Sequence, residues 1–257
     1  MNKIKYVLPA LKTEIIKMKN TLGVWTTLIF PFLVVFMNFM IFYNRPKLLS
    51  EGGANPWLSV TQNAVSIYSI LFLPLYIAII TFYINFNEHK SNSWRQLYTL
   101  PVTKVNIYFS KLFVSFILIC VSMLFFYFAN QTTLLLLKAF RPEIPFYQDS
   151  YDSLIRITFI KIVISSIGIL SIQFLISIWS GNFIYPLGFG LTATFTGIFL
   201  VRWERMVYYP YSYPFIAATD LMKKNYSFFN RNLLLSIIAF AVFAAAGYYF
   251  HNKGKVK

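Results

Sequence analysis

The sequence predicts an all-α integral membrane protein with six transmembrane helices. Of its 257 residues, 58% are hydrophobic and only 12% are charged, whereas about 25% of residues are charged in a typical soluble domain. The chain therefore lacks the polar surface that a water-soluble fold requires. Six apolar stretches have roughly the 20 residues needed to cross a bilayer, and none alternates apolar and polar residues like a barrel strand.

These stretches form one transmembrane domain over residues 1–257, with an in-plane elbow helix predicted at residues 3–21. The predicted spans cover, approximately, residues 22–43, 65–86, 107–130, 154–180, 183–201 and 233–250. Residues 44–64 and 138–153 are expected to be loops, and residues 180–182 a tight hairpin. The connection 202–232 is rich in aromatic residues, so we expect it to lie at the bilayer surface or to dip into it.

An amphipathic pattern predicts the elbow helix. Apolar residues recur every three or four positions, and Lys5, Lys12 and Lys19 occupy the adjoining face. Such a stripe flanked by lysines is typical of a helix lying in the headgroup plane. A charged leader that happens to be helical is the alternative. The apolar positions are Ile4, Leu8, Leu11, Ile15, Met18 and Leu22.

The formal net charge of +15 reports orientation rather than nucleic-acid binding, because the basic residues lie between long apolar runs. With a cytoplasmic N-terminus, 12 of the 23 basic residues fall inside and 11 outside, so the count alone gives no bias. The first span has the greatest weight, and five lysines precede it. We therefore predict a multi-pass protein of the cell membrane with both termini cytoplasmic and no nucleic-acid partner.

The connection between the second and third spans carries the strongest functional signal. Trp94, Leu97 and Tyr98 share one face of a short predicted helix that Pro101 ends. An exposed apolar face of this kind is typical of a docking site for another protein. A helix resting on its own bundle or on lipid headgroups would show the same pattern.

This connection resembles the cytoplasmic loop of the ABC-2 type permeases, in which an acidic residue ends the second helix and a Trp/Leu helix leads into a Leu-Pro turn. The matching residues are Glu88, Trp94, Leu97, Leu100 and Pro101. The lysine-rich segment 11–19, which leads into Trp25 and Phe30, Pro31 and Phe32, is similar to the elbow and first helix of the lantibiotic-immunity and bacitracin-export branch.

The resemblance implies a half-transporter of ABC-2, type V exporter-like architecture that pairs with a second copy or a paralogue. It also implies that a separate ATPase binds the cytoplasmic side. The implied contacts are Leu8, Leu11, Ile15 and Met18 of the elbow, and Glu88, Trp94, Arg95, Leu97, Tyr98, Leu100 and Pro101 of the loop, which would act as a coupling helix.

The sequence contains no motif for ATP hydrolysis. The Gly254–Lys255 pair has Tyr249 where a Walker loop requires its first glycine, and Val256 where it requires Ser or Thr. No His-Glu-x-x-His motif, no His/Cys cluster and no carboxylate pair within a span occurs. We therefore predict no enzymatic activity, catalytic residue, metal site or cofactor for this chain.

Several polar residues lie within the predicted spans. Lys161 and Arg156 are expected to extend outward to the interface; the alternative places Lys161, together with Asn38, on a wet translocation path. Asn38, Asn85 and Gln173 are expected to form hydrogen bonds between helices. Close helix packing is expected at Ser165 and Ser166. A tight helix contact or a dimer contact is expected at small residues of the fifth span, namely Gly188, Gly190, Ala193 and Gly197.

The sequence thus predicts the permease subunit of an ATP-driven exporter that expels an amphipathic compound such as an antimicrobial peptide, the substrate being implied by the branch resemblance. An ATPase-independent secondary transporter or channel is the alternative. A membrane scaffold that recruits a cytosolic protein is the third reading.

Overall fold

The structure, a computed structural model, describes residues 7–19, 21–50, 55–90, 103–146, 150–180 and 182–252, without the side chains of residues 7–10, 12, 50 and 87–90. A π-helical turn, Tyr68–Phe72, joins the fourth and fifth helices. The helices are α1 (Val7–Met18), α2 (Leu22–Asn44), α3 (Lys47–Ser50), α4 (Pro56–Ile67), α5 (Leu73–Lys90), α6 (Lys104–Phe140), α7 (Asp152–Trp179), α8 (Ile184–Phe199), α9 (Tyr213–Thr219) and α10 (Arg231–Asn252).

Six helical segments are long and apolar enough to cross a membrane, and the described ranges contain no strand. The predicted all-α fold with six spans is therefore confirmed. α1 lies within the predicted elbow segment, and its placement in the headgroup plane stays a prediction. The six segments are Leu22–Asn44, Pro56–Phe86, Lys104–Phe140, Asp152–Trp179, Ile184–Arg202 and Arg231–Asn252.

The second span begins earlier than its hydropathy predicts. The side chain of Asn55 accepts a hydrogen bond from the backbone N–H of Leu58 (3.3 Å), and Pro56 occupies the first turn, so the helix starts there rather than near Val65. Four polar residues lie between positions 56 and 64 and lower the hydropathy of this part. The predicted loop 44–64 is correspondingly shorter.

The third span is also part of a longer helix. α6 runs for 37 residues, and the side chain of Thr103 caps its start by accepting a hydrogen bond from the N–H of Asn106 (3.3 Å). Its last turns pack into an apolar cluster that also includes residues of the following connection, so the predicted loop 138–153 is shorter. The cluster consists of Phe42, Leu49, Trp57, Val60, Leu134, Leu137, Ile144 and Phe146.

α7 lies at the centre of the bundle and packs against α5, α9 and α10. Its contact with α10 is close because the facing residues are small. The hydroxyl of Ser236 accepts a hydrogen bond from the N–H of Gly168 (3.0 Å) and donates to the carbonyl of Ser165 (2.9 Å). Ser165 and Ser166 are fully buried, which confirms their predicted role in helix packing.

The predicted tight connection between the fourth and fifth spans is confirmed. α7 ends at Trp179 and α8 begins at Ile184. Within α8, a Cβ atom added at Gly190 would lie 2.7 Å from Nε2 of Gln173 and 2.8 Å from Cβ of Ala78, so the helices touch closely there. A Cβ atom at Gly188 would meet no described atom within 4 Å.

Residues 202–232 fold back onto the bundle. Tyr211, Tyr213 and Ala217 are buried, and α9 packs against α4 and α7. Protein contacts therefore anchor this connection, whose depth in a bilayer stays a prediction.

Candidate functional site

A buried ion pair joins α1 to the third span near the start of α6. Nζ of Lys111 lies 2.8 Å from Oε2 of Glu14 and donates a second hydrogen bond to the carbonyl of Ile84 (2.8 Å). The side chain of Lys111 is 1% exposed and that of Glu14 is 8% exposed. Lys17, on the outer side of α1, also contacts Glu14 through Oε1 at 3.1 Å.

This arrangement connects three elements at one point. Glu14 belongs to α1, Ile84 to α5 and Lys111 to α6. α5 and α6 are the helices on either side of residues 91–102, where the sequence predicts the docking helix. Through this contact, α1 is attached to both of these spans.

The buried face of α1 differs from the predicted apolar stripe. Met18 is buried against Ile84 and other residues of α5 and α6, and Leu11 packs beside it, whereas Ile15 is exposed. The face that contacts the bundle therefore includes Glu14 rather than Ile15. The side chain of Leu8 lies outside the described part of the chain.

The predicted contacts of the loop also lie outside the described side chains. They are Glu88, whose backbone lies in the last turn of α5, and Trp94, Arg95, Leu97, Tyr98, Leu100 and Pro101. Their docking role stays a prediction.

A line of buried polar contacts runs along the second span. Oγ1 of Thr61 accepts a hydrogen bond from Asn130 (3.1 Å), and the hydroxyl of Tyr68 lies 2.8 Å from that of Ser122. Further along, the hydroxyl of Tyr76 donates to the carbonyl of Leu118 (3.0 Å). All three contacts join this span to α6.

The π-helical turn keeps these groups on one face. Thr61 and Tyr68 are seven residues apart, which is close to two α-helical turns. Tyr68 and Tyr76 are eight apart, and in an uninterrupted α-helix the second would be rotated by about 80° from the first. The turn Tyr68–Phe72 takes up the extra residue, so both tyrosines face α6.

The three amide side chains bond between helices as predicted. Asn38 donates to the carbonyl of Val60 (3.0 Å) and accepts from Asn63 (2.7 Å). The other two contacts join Asn85 to the hydroxyl of Ser177 (2.7 Å) and Gln173 to the hydroxyl of Tyr211 (2.8 Å). A place for Asn38 on a translocation path stays a prediction.

Burial keeps the hydroxyl of Tyr211, the partner of Gln173, neutral. Tyr211 lies in the connection between the fifth and sixth spans, and burial raises the pKa of its hydroxyl, with the hydrogen bond from Gln173 opposing this effect.

The predicted outward extension of Lys161 is wrong. Its side chain is fully buried, and Nζ lies 2.9 Å from Oδ2 of Asp220 and 2.9 Å from the carbonyl oxygen of Asn225. Asn230 donates a further hydrogen bond to Asp220. The lysine stays inside because residues 202–232 fold back and supply the carboxylate.

Sequence reasoning missed both acidic partners. Glu14 is the single acidic residue among the first 50 residues, and this isolation among lysines could have indicated that it forms a specific ion pair. Asp220 is 59 positions from Lys161, and only the scarcity of acids in the chain pointed to it. The described residues contain no group of three or more His, Cys, Asp or Glu side chains that could hold a metal ion.

The comparisons with known proteins place the chain in a family. No curated protein matches it. A family model described as "ABC-2 family transporter protein" matches residues 10–197, which extend from within α1 to within α8 and include the Glu14–Lys111 pair and the polar contacts of the second span. The resemblance to ABC-2 permeases is confirmed, whereas the lantibiotic and bacitracin branch stays a prediction. With six candidate spans and this match over most of its length, the chain belongs to the ABC-2 family of transporter membrane proteins.

Proposed function

We propose that this chain is the permease subunit of an ATP-driven exporter and works with a separate ATPase subunit. In this proposal, α1 and the connection 88–101 form the ATPase contact on the cytoplasmic side of the plasma membrane. Both termini are cytoplasmic, and two permease chains, identical or paralogous, form the working unit.

The observation that carries the proposal is the contact of Lys111 with Glu14 and with the carbonyl of Ile84. It gives α1, α5 and α6 a shared attachment beside the proposed docking segment. Because a buried ion pair with a further hydrogen bond holds one geometry, movement of a bound ATPase would shift both spans as a unit. An attachment of this kind suits a subunit that receives mechanical work from another chain.

For the substrate, we propose an amphipathic compound such as an antimicrobial peptide. The translocation path includes Asn38 and the polar contacts between the second span and α6. Oδ1 of Asn130 accepts no hydrogen bond from any described residue, so this region retains an acceptor for a donor group of a substrate or for water. Lys161 joins the path when its pair with Asp220 opens.

Co-purification tests the proposed partner. The tagged full-length protein is isolated from its native membrane in mild detergent, and the associated proteins are identified by mass spectrometry and assayed for ATP hydrolysis. We expect a protein with a Walker loop at a defined ratio to the permease. If no such ATPase is recovered, and the purified chain transports its substrate in vesicles along a gradient, the protein is a secondary transporter or channel instead.

A matched pair of double variants tests the docking segment. Trp94→Ala with Leu97→Ala should abolish ATPase recovery without changing membrane insertion. The control is Trp25→Ala with Leu28→Ala, which alters a Trp/Leu pair of the same spacing on the exposed face of α2. Equal ATPase recovery with both double variants would refute the assignment of residues 88–101.

A further inference from the structure

The structure contains an apolar groove between α6 and α7 that has one cationic residue. Its volume is about 280 Å³. Consecutive helices with a short connection run antiparallel, so Tyr127 lies opposite Arg156 at one end and Cys120 lies opposite Val163 at the other. Apolar side chains, among them Leu124, form the walls between these ends.

The groove has the length and direction of part of a lipid chain. Cys120 and Tyr127 are seven residues apart on α6, which corresponds to a distance of about 10 Å along the helix axis. The groove is open on one side and lies within two candidate spans. Its long direction therefore follows the helices, as an acyl chain does in a leaflet.

Arg156 is available to bind an anion. It is exposed in the second turn of α7, where a guanidinium reaches headgroup depth. It forms no hydrogen bond or ion pair with any residue that the structure describes, including Asp152 one turn earlier. Arginine presents several donors in a planar arrangement that matches phosphate.

Tyr127 of α6 contributes a second donor at the same end of the groove. The hydroxyl of Tyr127 accepts a hydrogen bond from Gln131 (3.2 Å). Its own hydrogen is donated to no acceptor within the described ranges, which leaves it for an oxygen of a ligand. The surface that lines the groove is almost wholly apolar, so the guanidinium of Arg156 and the hydroxyl of Tyr127 are placed at its rim rather than inside it.

We propose that this groove binds a membrane phospholipid with an anionic headgroup, with its phosphate on Arg156 and one acyl chain along α6 toward Cys120. The charge of the opening selects the phosphate, and the groove holds the chain. This site is separate from the proposed ATPase contact and does not depend on it.

Cys120 is the single cysteine of the chain and is partly exposed, so it reports directly on the groove. The rate of its reaction with N-ethylmaleimide is measured on the full-length protein in detergent. Phosphatidylglycerol is compared with diacylglycerol, which has the same chains and no phosphate. At about ten times its Kd, phosphatidylglycerol should slow the reaction about tenfold, because only the lipid-free fraction reacts. Diacylglycerol should slow it much less.

Two arginine variants separate the phosphate contact from general effects of charge. Arg156→Gln should remove the preference for phosphatidylglycerol, and Arg202→Gln, at an exposed arginine outside the groove, should retain it. Arg156→Lys should show an intermediate preference. An unchanged reaction rate of Cys120 in lipid-free Arg156→Gln confirms that this variant is folded.

Three results would overturn the proposal. They are equal protection by both lipids in the wild type, a preference that survives in Arg156→Gln, and no protection by either lipid. Cys120 that is unreactive before lipid is added would also overturn it, since another protein surface, such as a second copy of the chain, would then cover the groove.

Discussion

The ammonium of Lys161 lies 2.9 Å from the carboxylate of Asp220, and the two side chains are 0% and 7% exposed. One residue belongs to the fourth span and the other to the connection before the sixth. The ion pair therefore attaches the connection 202–232 to α7, the central helix of the bundle.

Replacement of Asp220 by Asn should lower the unfolding free energy by about 3–5 kcal/mol, because a buried ammonium loses its counter-charge. Thermal unfolding of the protein in detergent measures this loss. Glu204→Gln, an exposed acid of the same connection, should change stability by less than about 0.5 kcal/mol. The double variant Lys161→Met, Asp220→Leu should be more stable than Asp220→Asn. If it is not, the loss of stability in Asp220→Asn does not come from the uncompensated charge of Lys161.

The two lysines that contact Glu14 should differ in importance. Lys111→Gln should cost about 3–5 kcal/mol because it breaks a buried pair, whereas Lys17→Gln removes a partly exposed partner and should cost at most about 1 kcal/mol. Hydrogen exchange followed by mass spectrometry should show faster exchange in α1 for Lys111→Gln alone. Equal exchange in the two variants would contradict a structural role for the pair.

Two glycines of α8 should respond to alanine with opposite signs. Gly190→Ala brings a methyl group within 2.8 Å of atoms of Gln173 and Ala78, and the overpacking should cost about 1–3 kcal/mol. Gly188→Ala meets open space and should stabilise the helix by about 0.5–1 kcal/mol. Melting temperatures in detergent measure both effects. A loss of stability in both variants would indicate that the side chain at position 188 is covered by a partner chain.

The π-helical turn should tolerate loss of one residue. Deletion of Ile70 converts the turn to α-helix and keeps Tyr68 and Tyr76 facing α6. Deletion of Ile79, which is also half-buried, rotates the following residues by about 100° and separates the Ile84 carbonyl from Lys111. We expect a monodisperse protein only after the first deletion, as judged by size-exclusion chromatography. Equal tolerance of both deletions would show that the π turn does not set the register.

The spans were predictable because hydropathy over about 20 residues is a property of local sequence. Their ends were less predictable. Pro56 and the polar residues after it belong to the second helix because Asn38 and Asn130 of other helices provide hydrogen-bond partners. Such partners are distant in sequence, so a hydropathy window assigns these residues to a loop.

The polar site was predictable only in part. An unpaired amide in a membrane is costly. This cost was enough to predict the hydrogen bonds that Asn38, Asn85 and Gln173 form between helices. The fate of Lys161 depended on whether residues 202–232 fold back, and no local pattern encodes that. The same holds for Glu14, whose burial depends on how α1 packs.

The length of α6 determines how the molecule meets membranes of different thickness. Its 37 residues rise about 55 Å, whereas the hydrocarbon core measures roughly 30 Å. A bilayer cannot enclose such a helix, and the protein covers only one face of its end, since Leu135 and Phe140 stay exposed. Leu134 and Leu137 are fully buried among Trp57, Phe146 and their neighbours. A thinner bilayer therefore leaves the inner face of this end covered by protein, whereas its outer face passes from lipid to water, and we expect hydrophobic mismatch to act on that outer face alone.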